Sequence, residues 1–410
     1  MIDINKILEN REEVITGLEK RKGDYADDIN KVYEYATEEK NIRLLGETLR
    51  AEFNELNRKN DHKDIPRRKE LKTIIRENDA RKKELDTLIQ DILIKIPNTL
   101  HKNVPTGLTE EDNTILKKRM CTEGVIKDGL EHWELAKKHN IIDFETGNKL
   151  TGNGFPVYIG KGARLQRAII NFCLDEAGKY GFVEHQVPIM VNKDCVYATG
   201  QYPDKEGMMY HVEKDDLYLV PTAEIPLTNI YRDTVIKKEN LPILITGYTP
   251  CFRREAGGYG KDTKGLNRLH QFDKVELVCI TTQEDGYKKL EEMREYIEGL
   301  LKKLDLTYRV LALCGGEMTF TGEKAYDIET WCPIQKKWLE VVTVTNFGTF
   351  QANRLNCKYK DGNKNKLVHT LNGTGLALPR IVATILEQYQ TVDGIRIPDV
   401  LIDYTGFNVI

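Results

Sequence analysis

Between Asp27 and Asn57 apolar residues recur every three or four positions, at Ile29, Val32, Ala36, Ile42, Leu45, Leu49, Phe53 and Leu56, the spacing of one helical face. A second run repeats the pattern at Leu71, Ile75, Leu85, Ile89, Ile92 and Ile96. The seam is narrow, as in a coiled coil. NDHKDIPRR separates the runs, with Pro66 where a helix begins. The pattern predicts two antiparallel helices around a short turn, an arm with too little core to house an active site. At IPNTLHKNVPTG, residues 96–107, the seam stops and two prolines break the helix. A helical arm over residues 1–100 and a second domain over 101–410 are therefore expected.

Beyond the linker the period changes. FPVYI, DLYLVPT, ITGYTPCF, KVELVCI and WLEVVTVTNF predict strands bounded by turns rather than by regular βαβ units, hence an α+β fold with an antiparallel sheet flanked by helices. Pro188, inside the apolar GFVEHQVPIMVN, predicts a strand at an edge or interface. At 410 residues with 40% hydrophobic content, the chain suffices for two domains. No apolar run approaches the ~20 residues that cross a bilayer, and the start MIDINKILENREE is charged. A cytoplasmic protein without membrane contact is expected. The eight cysteines form no CxxC pair and have no close histidine, which predicts reduced thiols and no zinc site. The formal charge of -3 gives no global sign of nucleic-acid binding. Residues 61–86 hold nine Lys or Arg against seven Asp or Glu, too small a surplus to argue phosphate binding by itself.

The chemistry concentrates in CFRREAGGYGKDTKGLNRLHQFDKVELV, residues 251–278. In extended strands Arg253 and Glu255 share one face with Arg254 on the other, and Arg268, Phe272 and Glu276 share a face on the return. Paired, the strands would present two guanidinium forks, an aromatic plane and two carboxylates, a surface suited to a nucleoside triphosphate. The intervening loop lacks the GxxxxGK[ST] order of a P-loop. Taken alone, the stretch reads sooner as a solvated charged hairpin than as a nucleotide site. LNGTGLALPRIVATILEQYQ predicts a strand followed by a helix with Pro379 in its first turn. Ile381, Val382, Ile385 and Leu386 form its apolar face, and Arg380 lies near the positive N-terminus.

In order, GFVEHQVPIMVN, FRREAG with GKDTKGLNRLHQFDKVEL, and HTLNGTGLALPR resemble the three signature motifs of class II aminoacyl-tRNA synthetases. TGQYP, VPTAEIPLTN at 220–229, AYDIETWCP and the closing DGIRIPDVLIDYTG are similar to the seryl-tRNA synthetase family in particular. The hairpin and EHWELAKKHNIIDFE resemble that family's tRNA-binding arm and linker, so the resemblance covers the whole chain. It implies activation of L-serine with ATP to seryl-adenylate, transfer to the 3' adenosine of tRNA-Ser, Mg2+ as cofactor, and a homodimer. It further implies that Arg253 holds the α-phosphate and the serine carboxylate, acting catalytically with Arg380. Arg254 and Glu255 would bind ATP, Phe272 would stack on adenine, and Arg268 and Arg380 would grip the outer phosphate. Glu340 and Thr343 would hold magnesium and ATP. Thr222, Glu224, Glu276, Asn372 and Thr374 would surround serine together with Arg253. The chain departs from the family pattern in EVVTVTN, where Thr343 and Thr345 replace serines, in Asn353, where arginine is usual, and in the loop GGEMTF. Two rival functions are a ligase loading an amino acid onto a carrier protein, against which the full-length arm argues, and a non-catalytic binding paralogue, against which the intact charged residues argue.

Overall fold

In the computed structural model, which describes every residue except 60, 123–125, 127, 205–206 and 256–263, the two apolar runs form helices α1 (Ala26–Lys59) and α2 (Ile65–Leu93). Asp27 and Asp28 open α1 and Arg58 and Lys59 close it, each charge opposing the helix dipole. A short turn, His62–Asp64, reverses the chain, and a proline stands at the start of α2. Ile29, Val32 and Leu49 of α1 and Leu71, Leu85 and Ile89 of α2 are buried, and the two helices pack against each other. The seam departs from expectation at two steps: Leu93 rather than Ile92 is buried on the second helix, and on the first Leu45 is 50% exposed while Gly46 is buried in its place. The helical phase therefore runs through 42, 46 and 49. Arg81 clasps Glu38 through two bonds of 2.8 and 3.1 Å, and Arg67 clasps Glu52 likewise. Such exposed pairs add little stability but pin the register of the hairpin, and they take up part of its basic charge.

The chain divides into Met1–Lys102 and Asn103–Ile410. The second unit is organised by eight strands: β1 (Thr114–Arg119), β2 (Val183–Glu184), β3 (Ile243–Phe252), β4 (Gln271–Thr281), β5 (Tyr308–Ala312), β6 (Lys324–Cys332), β7 (Lys337–Asn346) and β8 (His369–Ala377). Their order across the sheet is β1-β5-β6-β7-β8-β4-β3-β2. Every neighbouring pair is antiparallel except β2 with β3. Around the sheet lie α3 (His132–Lys138), α4 (Lys161–Tyr180), α5 (Glu224–Asn229), α6 (Gly286–Lys303), α7 (Phe350–Leu355) and α8 (Leu378–Gln388).

The period of two decides which side chains meet the core. On β4, Val275, Leu277 and Cys279 enter the main cluster with Leu165 and Ile169 of α4, Met293 and Ile297 of α6, and Ile381 and Ile385 of α8. Val278 and Ile280 instead join a second cluster with Ala223, Leu227, Ala352 and Leu355. Each fully buried aliphatic side chain contributes roughly 1.5–3 kcal/mol, so the register of β4 is strongly held. Lys274 and Glu276, in phase with 278 and 280, thereby come to the face that carries the site. Pro188 is not within a strand: it falls between β2 and the short strand Met190–Asn192, consistent with its missing N–H donor. Among the described residues no helix is long and apolar enough to cross a membrane. All eight cysteines are free thiols.

Candidate active site

The hairpin argued from strand parity requires correction. β3 and β4 pair only as far as Phe252 opposite Gln271. Arg253, Glu255 and Arg268 thus lie beyond the ladder, where strand alternation no longer governs them. What brings them together is tertiary. The Arg253 N–H donates to the His270 carbonyl at 2.9 Å, and its guanidinium sits 5.1 Å from the centre of the Phe272 ring. Glu255 adopts a left-handed backbone, φ 51°, and pairs with Arg268 at 2.8 Å. Arg254 stands apart, exposed, over the Tyr210 ring at 5.2 Å. The intervening glycine-rich loop, AGGYGKDT at 256–263, lies outside the described residues.

A second group lies one step along the same strands. Glu276 is fully buried; it accepts from Thr222 Oγ1 at 2.9 Å and Asn372 Nδ2 at 3.3 Å, and it pairs with buried Lys274. Thr374 is its direct partner across the β4–β8 ladder. Glu224 is buried at the start of α5. Its N–H donates to Thr222 Oγ1 at 3.1 Å, and its carboxylate accepts from Gln351 Nε2 at 2.7 Å. Burial, and then the neighbouring Glu276 charge, push the Glu224 carboxyl up to about 7. Two buried acids with one lysine leave an excess of negative charge, which a small cation with several donors, such as an ammonium, would relieve. Pro221 and Thr222 join the two groups: the Pro221 carbonyl accepts from Arg253 Nε at 3.4 Å, while Thr222 holds Glu276.

Across β8 lie the residues expected at a metal. Thr343 Oγ1 donates to Glu340 Oε1 at 3.3 Å. On β6, Asp327 faces Thr343 across the ladder; burial and the Glu340 charge raise its carboxyl well above the ordinary value, and its Oδ1 is buried without a partner. Among the described residues no group of three or more acidic, histidine or cysteine side chains is gathered as a metal cage. Two carboxylates and a hydroxyl nevertheless make the oxygen-only, incomplete donor set that suits Mg2+, which takes its remaining ligands from water and phosphates. Arg380 reaches this edge as well, with Nη1 on the Glu340 carbonyl at 2.5 Å and Nε on the Asn267 carbonyl at 3.2 Å.

Three site residues escaped the sequence reading. Lys274 shares the alternation of Phe272 and Glu276 on β4 and was open to the same parity argument. Asp327 was equally open, since it leads the alternating acidic pair in AYDIET. Gln351, which also accepts from Thr370 at 2.8 Å and donates to the Thr199 carbonyl at 3.2 Å, carries no sequence signal. Its role exists only because the fold brings α7 within hydrogen-bond reach of Glu224 at the start of α5.

Both parts of the chain are similar to known proteins. Residues 1–100 match the family described as the seryl-tRNA synthetase N-terminal domain, and residues 209–389 match the class II tRNA synthetase core domain of the G, H, P, S and T enzymes. A serine–tRNA ligase of Chlorobium luteolum is 42% identical over 428 residues, covering 100% of this chain and 99% of that protein. One from Salinibacter ruber is 48% identical over 331 residues, 79% of this chain and 76% of the relative. The crystal structure of seryl-tRNA synthetase from Pyrococcus horikoshii complexed with ATP superposes with a TM-score of 0.93 at 33% identity, covering 100% of this chain and 99% of that one.

Proposed function

The chain belongs to the seryl-tRNA synthetase family, class II ligases that use ATP to join serine to tRNA, and from that premise we propose how its own residues divide the reaction. The serine ammonium seats between Glu224 and Glu276, with Thr222 orienting both. Asn372 and Thr374 meet the serine hydroxyl. Alanine would leave these buried polar groups without a partner, a costly mismatch. Phe272 stacks on adenine beside Glu255, while Arg268 and Arg380 hold the outer phosphates; Arg254, turned to Tyr210, would reach ATP only from outside this group. Arg253 stands between the two substrates, its fork shared by the serine carboxylate and the α-phosphate.

The serine carboxylate oxygen attacks the α-phosphorus of ATP and pyrophosphate leaves. Two anions meet in this step, so alignment and charge neutralisation by Arg253 lower the barrier without a protein nucleophile. A hydroxyl of the terminal adenosine of tRNA-Ser then attacks the adenylate carbonyl, and AMP departs. Glu340 and Thr343, with Asp327 behind them, would hold Mg2+, which supplies positive charge to the triphosphate. Thr343→Ala should raise the Mg2+ concentration needed for half-maximal exchange about tenfold. Mn2+ binding followed by electron paramagnetic resonance checks this, and unchanged Mn2+ affinity would remove Thr343 from the metal site.

The observation that carries the reading is the bridge Pro221–Thr222, which ties Arg253 to the buried acid pair. We assign Met1–Lys102 to tRNA, recognised by shape and backbone rather than by base sequence, and we read the enzyme as a homodimer in which the arm serves the partner's tRNA. The eight free thiols fit a reducing compartment, and we propose the cytoplasm. Deleting residues 30–93 should spare serine-dependent ATP–pyrophosphate exchange and lower charging of tRNA-Ser by on the order of a hundredfold. Co-assembly with an Arg253→Ala chain whose arm is intact should restore charging. Persistent charging by the deleted enzyme would reduce the arm to scaffolding, and failure of the mixture would exclude service across subunits.

A further inference from the structure

The two arginines assigned to the outer phosphates hang from one short stretch. Arg380 Nε donates to the Asn267 carbonyl at 3.2 Å, and Arg268 is the next residue along. That stretch is itself held from below. The Leu266 N–H donates to His132 Nε2 at 2.9 Å, and Asn267 Nδ2 donates to Gln335 Oε1 at 2.9 Å. Gln335 Nε2 in turn donates to Glu387 Oε1 at 2.6 Å.

Glu387 is a hub. Fully buried, it accepts from His132 Nδ1 at 3.2 Å and from the N–H groups of His132, Ile334 and Gln335 at 3.2, 3.1 and 3.3 Å. A backbone N–H only donates, so His132 Nε2 must accept from Leu266 and the ring proton resides on Nδ1, facing the carboxylate. Burial pushes the Glu387 carboxyl up, but the bonds from His132 and Gln335 outweigh it and hold the group below its ordinary value. Glu387 follows Arg380 by seven residues on α8, two turns along the same face. A closed ring results, from Arg380 through Asn267, Gln335 and Glu387 and back along the helix. It draws on the return from the glycine-rich loop, the β6–β7 turn and α8, and His132 of the linker helix α3 braces it through Leu266 and Glu387. None of these segments determines the position of Arg380 alone.

We propose that Gln335, seated on Glu387, is a positioning residue that sets the reach of Arg268 and Arg380, and so governs affinity for the outer phosphates of ATP but not for its nucleoside monophosphate part. This rests on the assignment of both arginines to those phosphates. Gln335 touches no reacting atom; it acts through the Asn267 carbonyl and the backbone leading into Arg268.

Calorimetric titration of the full-length protein with ATP and, separately, with AMP tests the idea. Gln335→Met keeps the volume and removes the bonds. It should weaken ATP about tenfold, leave AMP within about twofold, and raise the KM for ATP in exchange while the KM for serine holds. Asn267→Ala breaks the ring at a second point and should shift the same ratio. Equal loss of ATP and AMP affinity, or a lowered Tm with the ATP-to-AMP ratio intact, would reduce the ring to a fold staple and overturn the proposal. Arg380→Ala runs in parallel. Undiminished ATP affinity in that variant would refute the phosphate assignment itself, whereas weak ATP binding there beside normal binding in Gln335→Met and Asn267→Ala would refute only the role of the ring.

Discussion

Arg253→Ala lowers serine-dependent ATP–pyrophosphate exchange by on the order of a thousandfold while the protein stays folded. The two halves of this expectation have separate reasons. Within the protein Arg253 makes one long side-chain bond, 3.4 Å to the Pro221 carbonyl, and a contact with Phe272. Its position is held by its backbone bond to His270, which alanine keeps. Little stability is therefore at stake. The reaction, by contrast, brings a carboxylate against a phosphate, and the planar fork opposes both charges in a geometry a flexible ammonium does not reproduce. Arg253→Lys should recover only part of the rate. Exchange near the wild-type level in the alanine variant, with circular dichroism unchanged, would remove Arg253 from the centre of the mechanism.

The KM for serine rises about tenfold between pH 8 and pH 6, and Glu224→Gln removes that dependence together with most of the serine affinity. Glu224 without ligand titrates at about 7, and only its ionised form meets an ammonium. Below neutrality, serine must therefore displace a proton in order to bind. The stability linkage has the opposite sign. A carboxyl raised from 4.5 to about 7 retains its proton better in the folded chain, so its favourable contribution is complete below pH 4.5 and is lost as pH rises through 7. That amounts to roughly 3 kcal/mol at alkaline pH. Glutamine keeps an oxygen to accept from Gln351 and carries no charge. The ligand-free Glu224→Gln protein should therefore melt higher than wild type at pH 8, the gap closing by pH 5. A serine KM that is flat from pH 6 to 8, or a variant less stable than wild type at pH 8, would show that Glu224 is ionised throughout and that its burial is relieved by another group.

Parts of this site were legible because their determinants are local. Pro379 at a helix start beside an apolar face predicts α8 and the place of Arg380, and helical spacing predicts both arm helices to within a few residues. The Leu45 seam position failed because spacings of three and four fit two adjacent phases, and packing of α2 selected the one through Gly46. The hairpin face failed for a related reason. Alternation holds only while strands pair, and pairing ends at Phe252 and Gln271, one residue short of Arg253.

The sequence by itself determined the elements, their periods and the order of the charged motifs along the chain, since each depends on neighbours within a few residues. Only the tertiary structure decided which charges share one environment. Thr222 meets Glu276 across 54 residues, Glu224 meets Gln351 across 127, and His132 meets Glu387 across 255. Burial then acts on these partners as a group: removed from water, a charge responds to whichever groups the fold sets beside it, and so Glu224 titrates near neutrality while Glu387 remains an anion.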